Sequence, residues 1–102
     1  MTESVATLTL QDSRLHLGGV VHFDNAEKVC ADGVKLLKQA GKSLVIDMHG
    51  LASSNSLVVA ILVSWTRIAS SSQQNLHISH MPDKLRAIIS VSGLTTALPE
   101  LP

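Results

Sequence analysis

The spacing of apolar and polar residues changes period several times along the chain, and each change marks an element. Over residues 5–10, Val5, Thr7 and Thr9 alternate with Ala6, Leu8 and Leu10, the period of two expected of a strand with one wet face. Asp12-Ser13 supplies turn chemistry, and Leu15 and Leu17 resume the alternation to about Val21, so a hairpin is predicted. Gly18-Gly19 near its end marks a bulge or a close backbone approach. From Asp24 the period becomes helical. Ala26, Val29, Cys30, Gly33, Val34, Leu37 and Ala40 share a face, Asp24 and Glu27 have capping-box spacing, and Gly41 is a natural stop.

Leu44 to Met48 is a short, nearly continuous apolar run, the pattern of a central strand covered on both faces. A polar turn follows, and a second helix is predicted from about Ser56 to Ser71. Leu76-His77-Ile78-Ser79 reads as a shorter strand. Pro82 takes the first position of a third helix, with Leu85, Ile88 and Ile89 inward and Gly93 ending it. The order is β-β-α-β-α-β-α. Right-handed crossovers then give one α/β domain over residues 1–102, whose small mixed sheet is antiparallel at the initial hairpin and parallel thereafter.

The second helix is more apolar than one core contact requires. At about 100° per residue, Leu57, Val58, Ile61, Leu62, Trp65, Ile68 and Ala69 fall in one arc facing the sheet. That arc is already wider than the stripe of about 100° usual for a surface helix. Val59 and Val63 lie outside it with Ser56, Ala60, Thr66, Arg67 and Ser70. Cover by another helix, or plain solvation, would account for this second face. The reading preferred is a docking strip of Ser56, Val59, Ala60, Val63 and Arg67, where small side chains allow close approach, valines give desolvated contact and Arg67 can meet an acidic rim.

Composition narrows the function classes. The 102 residues carry eight basic and eight acidic side chains and 2% aromatics, Phe23 and Trp65. Neither a field for phosphate backbones or anionic lipid nor a base-stacking platform follows, so nucleic acid is not an expected partner. Cys30 is the only cysteine and reads as a small core residue in a reducing compartment. Met1-Thr2-Glu3-Ser4 lacks the basic and apolar regions of a signal peptide. The run Leu57 to Val63 falls far short of the ~20 residues of a spanning helix. A cytoplasmic protein without direct membrane insertion is expected.

Candidate chemistry is sparse. Asp47 and His49, with Ser53, Ser54 and Ser56 nearby, lack a nucleophile elbow and an oxyanion hole, so no catalytic residue is assigned. Asp47 is expected to organise the turn by accepting from backbone amides, with His49 a surface or packing residue. His77 and His80 should diverge, and His16 and His22 sit far apart in the hairpin, so no metal site is expected. Gly18-Gly19 lacks the spacing and lysine of a phosphate loop, and no cofactor is expected.

The strand ending in Asp47-Met48, with Asn55-Ser56 eight residues beyond the aspartate at the head of an apolar helix, resembles the signature of STAS domains, the sulfate-transporter and anti-sigma-factor-antagonist family. The element order and the Val91-Ser92-Gly93-Leu94 ending resemble the family over nearly the whole chain. Asn55 stands where the family has an acidic residue, and Leu57-Val58 where it has a glycine-containing pair. In regulatory members a kinase phosphorylates the hydroxyl at the Ser56 position. The short chain, the altered motif and the Leu98-Pro99-Glu100-Leu101-Pro102 tail are most similar to MlaB-type subunits of bacterial phospholipid-trafficking ABC transporters. That resemblance implies a non-catalytic subunit at the cytoplasmic face of the inner membrane, which binds the transporter's ATPase subunit and supports its assembly and activity in outer-membrane lipid asymmetry. The alternative it implies is an anti-sigma-factor antagonist, with a regulatory kinase as partner and Ser56 as the modified residue.

Overall fold

The computed structural model describes residues 5–98, 100 and 101; Met1 to Ser4, Pro99 and Pro102 lie outside the described residues. Two strands, β1 (Ala6–Gln11) and β2 (Arg14–Gly19), form the hairpin, followed by α1 (Ala26–Gln39), β3 (Ser43–Asp47), α2 (Ser56–Ser71), β4 (Asn75–Ser79) and α3 (Asp83–Val91). The sheet runs β1-β2-β3-β4, antiparallel between β1 and β2 and parallel across the other two pairs. This is the mixed α/β domain and the element order expected.

The hairpin closes through Asp12 and Ser13, both left-handed (φ 51° and 65°), which matches the right-handed twist of its strands. Gly19 has φ 77°, and a Cβ there would stand 2.1 Å from the Val5 carbonyl oxygen. Only glycine lets the Val5 carbonyl approach closely enough to accept from Val20 N–H at 2.8 Å.

Helix α1 begins one residue later than its capping-box spacing predicts. Asn25, not Asp24, is the residue before the first turn, and its side chain faces back into the loop. Its Oδ1 accepts from the His22 amide at 2.9 Å and its Nδ2 donates to the Val20 carbonyl at 2.9 Å. The local turn wins because asparagine bonds the backbone of its own loop. At the other end the stop comes from extended Ala40, with open space around Gly41.

The sheet is covered on one face only, which corrects the expectation for the central strand. Leu15, Leu17, Leu44, Ile46, Leu76 and Ile78 point to the helical side and are buried, whereas Thr7, Thr9, Arg14, His16, Val45 and His77 lie on the open side. Val45 is half-buried there by its neighbours in the sheet. A short run of hydrophobics does not by itself distinguish one covered face from two.

Between the helices, Trp65 is completely buried and its indole N–H donates to the Cys30 carbonyl at 3.0 Å. A Cβ on Gly33 of α1 would stand 2.1 Å from Trp65 Cζ2, so glycine makes room for the ring. Trp65 therefore packs toward α1 and not only onto the sheet. Pro82 sits just before α3 instead of inside it, Leu85 and Ile89 are buried, and left-handed Gly93 (φ 73°) follows the helix. Beyond it the chain returns to β4, where Leu101 N–H donates to the Ile78 carbonyl at 2.7 Å. Arg86 of α3 holds Glu100 by two hydrogen bonds and keeps its carboxyl below the usual glutamate range.

Candidate functional site

The amino end of α2 is fixed by hydrogen bonds its sequence makes available. Asn55 caps the helix, its Oδ1 accepting from Val58 N–H at 3.1 Å, while its Nδ2 donates to the Val21 carbonyl at 2.9 Å. Ser53 Oγ accepts from the Val21 amide at 2.9 Å. The loops before α1 and α2 are thereby stitched together. The Asn55 amide thus caps the helix through its oxygen, and its nitrogen donor adds the bond to Val21. Ser56 occupies the first helical position and is exposed.

Ser56, Val59, Ala60, Val63 and Arg67 line one shallow groove of about 600 Å³ along the outer edge of α2. Ser56, Ala60 and Arg67 are exposed and Val63 is half-buried. Val59 is not outward: it is 5% exposed and belongs to the core. Val59 thus forms the wall of the groove where it meets the core. Three further lining residues escaped sequence reasoning: Ser64, Ile68 and Leu94. Ile68 fell in the predicted sheet-facing arc, and Leu94 reaches the groove only because the chain turns back after α3. Phe23, in the loop stitched to Ser53 and Asn55, is 86% exposed, and no local pattern marked it.

A polar cluster lies on the open face of the sheet. Asp47 is 7% exposed; its Oδ1 accepts from the His49 amide at 2.9 Å, as expected of a turn-organising aspartate. Its Oδ2 accepts from Arg14 Nη1 at 2.8 Å, His80 Nδ1 lies 3.1 Å from Oδ1, and His16 Nδ1 lies 3.8 Å from Oδ2. The His49 ring stands edge-on to that of His80, with centroids 5.4 Å apart. Burial works to raise the Asp47 pKa, but hydrogen bonds from the His49 amide, Arg14 and His80 outweigh it and hold the carboxyl below the usual aspartate range. The expected divergence of His77 and His80 does not hold: His77 is exposed on the open face, and left-handed His80 (φ 58°), just past β4, turns back to that same face to meet Asp47. The convergence of Arg14, His16 and His80 was not predicted; the available signal was the shared face of Arg14 and His16 on β2.

This cluster does not assemble a hydrolytic relay. Ser79 Oγ lies 3.0 Å from His80 Nδ1, the same ring nitrogen that faces Asp47. A serine nucleophile and its orienting carboxylate must bond opposite nitrogens of the imidazole. Among the described residues no group of three His, Cys, Asp or Glu side chains is disposed to hold a metal ion. No helix among them is long and apolar enough to cross a membrane.

Three comparisons bear on this geometry. No curated protein matches the chain. Among solved structures it is similar to a chain of the Acinetobacter MlaFEDB complex in an ATP-bound conformation, with 28% identity, a TM-score of 0.81, and 93% of this chain and 99% of that one covered. It shares its fold with an anti-sigma factor antagonist from Mycobacterium paratuberculosis (15% identity, TM-score 0.73, 98% and 86% covered). The same holds for the Bacillus cell fate determinant SpoIIAA in its phosphorylated form (14% identity, TM-score 0.68, 96% and 92% covered). The family model described as "Mlab, STAS domain" matches residues 5–100, and the chain belongs to the STAS domain family.

Proposed function

We propose that this chain is a non-catalytic STAS subunit that binds the cytoplasmic ATPase of an Mla-type phospholipid-trafficking ABC transporter and supports its assembly and activity through α2. The observation that carries this reading is the likeness, along almost the full length of both chains, to a chain of the MlaFEDB complex. The outer edge of α2 supports it with exposed Ser56, Ala60 and Arg67 beside half-buried Val63. Val59 serves as the wall that shapes the groove. Binding acts on the ATPase only as far as it favours one of its conformations over another. The site of action is the cytoplasmic face of the inner membrane, reached through the transporter.

Ser56→Glu tests the docking edge. The charge sits at a helix amino end, which tolerates it, but it places an ion against an apolar contact. We expect the variant to melt with the parent protein and to lose at least about tenfold in affinity for the ATPase, equivalent to about 1.4 kcal/mol. Undiminished co-purification by the folded variant would remove Ser56 from the interface. A second reading, an anti-sigma-factor antagonist, is favoured by the exposure of the Ser56 hydroxyl at the first turn of α2. A soluble kinase that co-purifies with the chain and phosphorylates Ser56 would select it.

A further inference from the structure

The two edges of the sheet are treated differently. The outer side of β4 is met by the returning chain, through the parallel bridge between Ile78 and Glu100. Among the described residues no strand pairs with the outer side of β1. In the β1–β2 ladder the pairs Thr7–Gly18, Thr9–His16 and Gln11–Arg14 alternate with Ala6–Gly19, Leu8–Leu17 and Leu10–Leu15. The two-residue turn makes the first set the hydrogen-bonded pairs, so the amides and carbonyls of Ala6, Leu8 and Leu10 point outward. No hydrogen bond from these groups to a described residue outside the ladder is present. Sheet edges in natural proteins are commonly blunted by lysine, proline or a bulge. Ala6–Gln11 contains no charge and no proline, and its register runs without a bulge.

We propose that β1 is a self-association edge, which pairs antiparallel with β1 of a second copy across a twofold axis at Leu8. The sequence is in phase with itself in this register. Leu8 faces Leu8 of the second copy, Ala6 faces its Leu10, and Thr7 faces its Thr9. The threonines lie together on the open face, where cross-strand threonine pairs are favourable. The apolar residues lie together on the covered face, where Ala6, Leu8 and Leu10 are only partly buried. There they continue the apolar layer into the open groove of about 510 Å³ between β1 and α1, bordered by Val29 and Leu36. No like charges oppose one another within the strands. The result is an eight-stranded sheet. The pairing is independent of what occupies the α2 groove, whose lining includes no residue of β1.

Sedimentation of the whole chain over a wide concentration range tests this. The parent protein should show a reversible monomer–dimer equilibrium. Thr7→Lys with Thr9→Lys places lysines directly opposite one another twice across the axis, on exposed positions that the monomer's own core does not use. That variant should keep the parent melting temperature and weaken self-association by roughly tenfold or more. The companion Thr7→Glu with Thr9→Glu should behave alike alone, and an equimolar mixture of the two should regain the dimer. A parent chain that stays monomeric at millimolar concentration overturns the proposal. So does a dimer that both variants form as well as the parent. Loss of the dimer in each variant without recovery in the mixture overturns the register.

Discussion

Helix α2 has two long edges of opposite character. On the side facing α1, Trp65 fills the space left by Gly33 and its indole N–H is taken by the Cys30 carbonyl. On the other side Ser56, Ala60 and Arg67 stand in water around a groove of about 600 Å³. The inner edge is specified by shape, so almost any change of volume there is felt by the fold. The outer edge carries few such demands, and its side chains are available to fit another polypeptide. Val59 marks the border: it belongs to the groove by position and to the core by burial.

The contrast can be tested by substitutions on either side. The largest effect is expected at Gly33→Ala, whose new Cβ would overlap the Trp65 ring. It should cost about 1–3 kcal/mol or more and lower the melting midpoint by several degrees. A Gly33→Ala protein that melts with the parent would mean that α1 and α2 separate at no cost, and the two edges would no longer differ in kind. Asp47→Asn tests the other rigid element, the polar cluster on the open face. Lost hydrogen bonds to Arg14 and His80 should cost about 1–3 kcal/mol at neutral pH. Because the folded-state pKa of Asp47 is depressed, its contribution is present above the ordinary aspartate pKa of about 4 and is lost as pH falls through the folded value. Denaturant titrations of parent and Asp47→Asn should therefore converge in strong acid; a gap that persists there would assign the cost to shape and not to charge.

Val59→Ala should cost about 1–2 kcal/mol, since the two methyl groups removed are buried. A smaller loss, near that of a surface valine, would move Val59 back to the outer edge. The smallest stability effect belongs to Ala60→Glu, within about 0.5 kcal/mol of the parent. The same change should weaken ATPase capture as strongly as Ser56→Glu. A calorimetric titration in which Ala60→Glu binds like the parent would leave the groove without a docking role.

Much of this arrangement can be read from local patterns, and the remainder could not have been. The bounds of α2 agree with expectation because Asn55 is a capping residue and the helical period stops at Ser71. The hairpin turn is legible because Asp and Ser tolerate the left-handed conformation that Asp12 and Ser13 adopt. The start of α1 is misplaced because Asp24 and Asn25 both fit a cap, and the choice was made by loop hydrogen bonds to Val20 and His22. The polar cluster joins Asp47 to Arg14 and to His80, each 33 residues away along the chain. Strand register brings Arg14 to Asp47, and the left-handed turn after β4 adds His80; no periodicity within one strand encodes either. In the same way the burial of Val59 is set by tertiary packing that the helical period of α2 does not show.

The sealed indole also makes the molecule its own reporter. The chain has one tryptophan and no tyrosine, so its near-ultraviolet emission comes almost wholly from Trp65. With Trp65 fully shielded, that emission should shift to the red when the helices part and stay unchanged when a protein settles on the opposite side of α2. Fluorescence thus separates loss of the native state from occupancy in a single label-free cuvette.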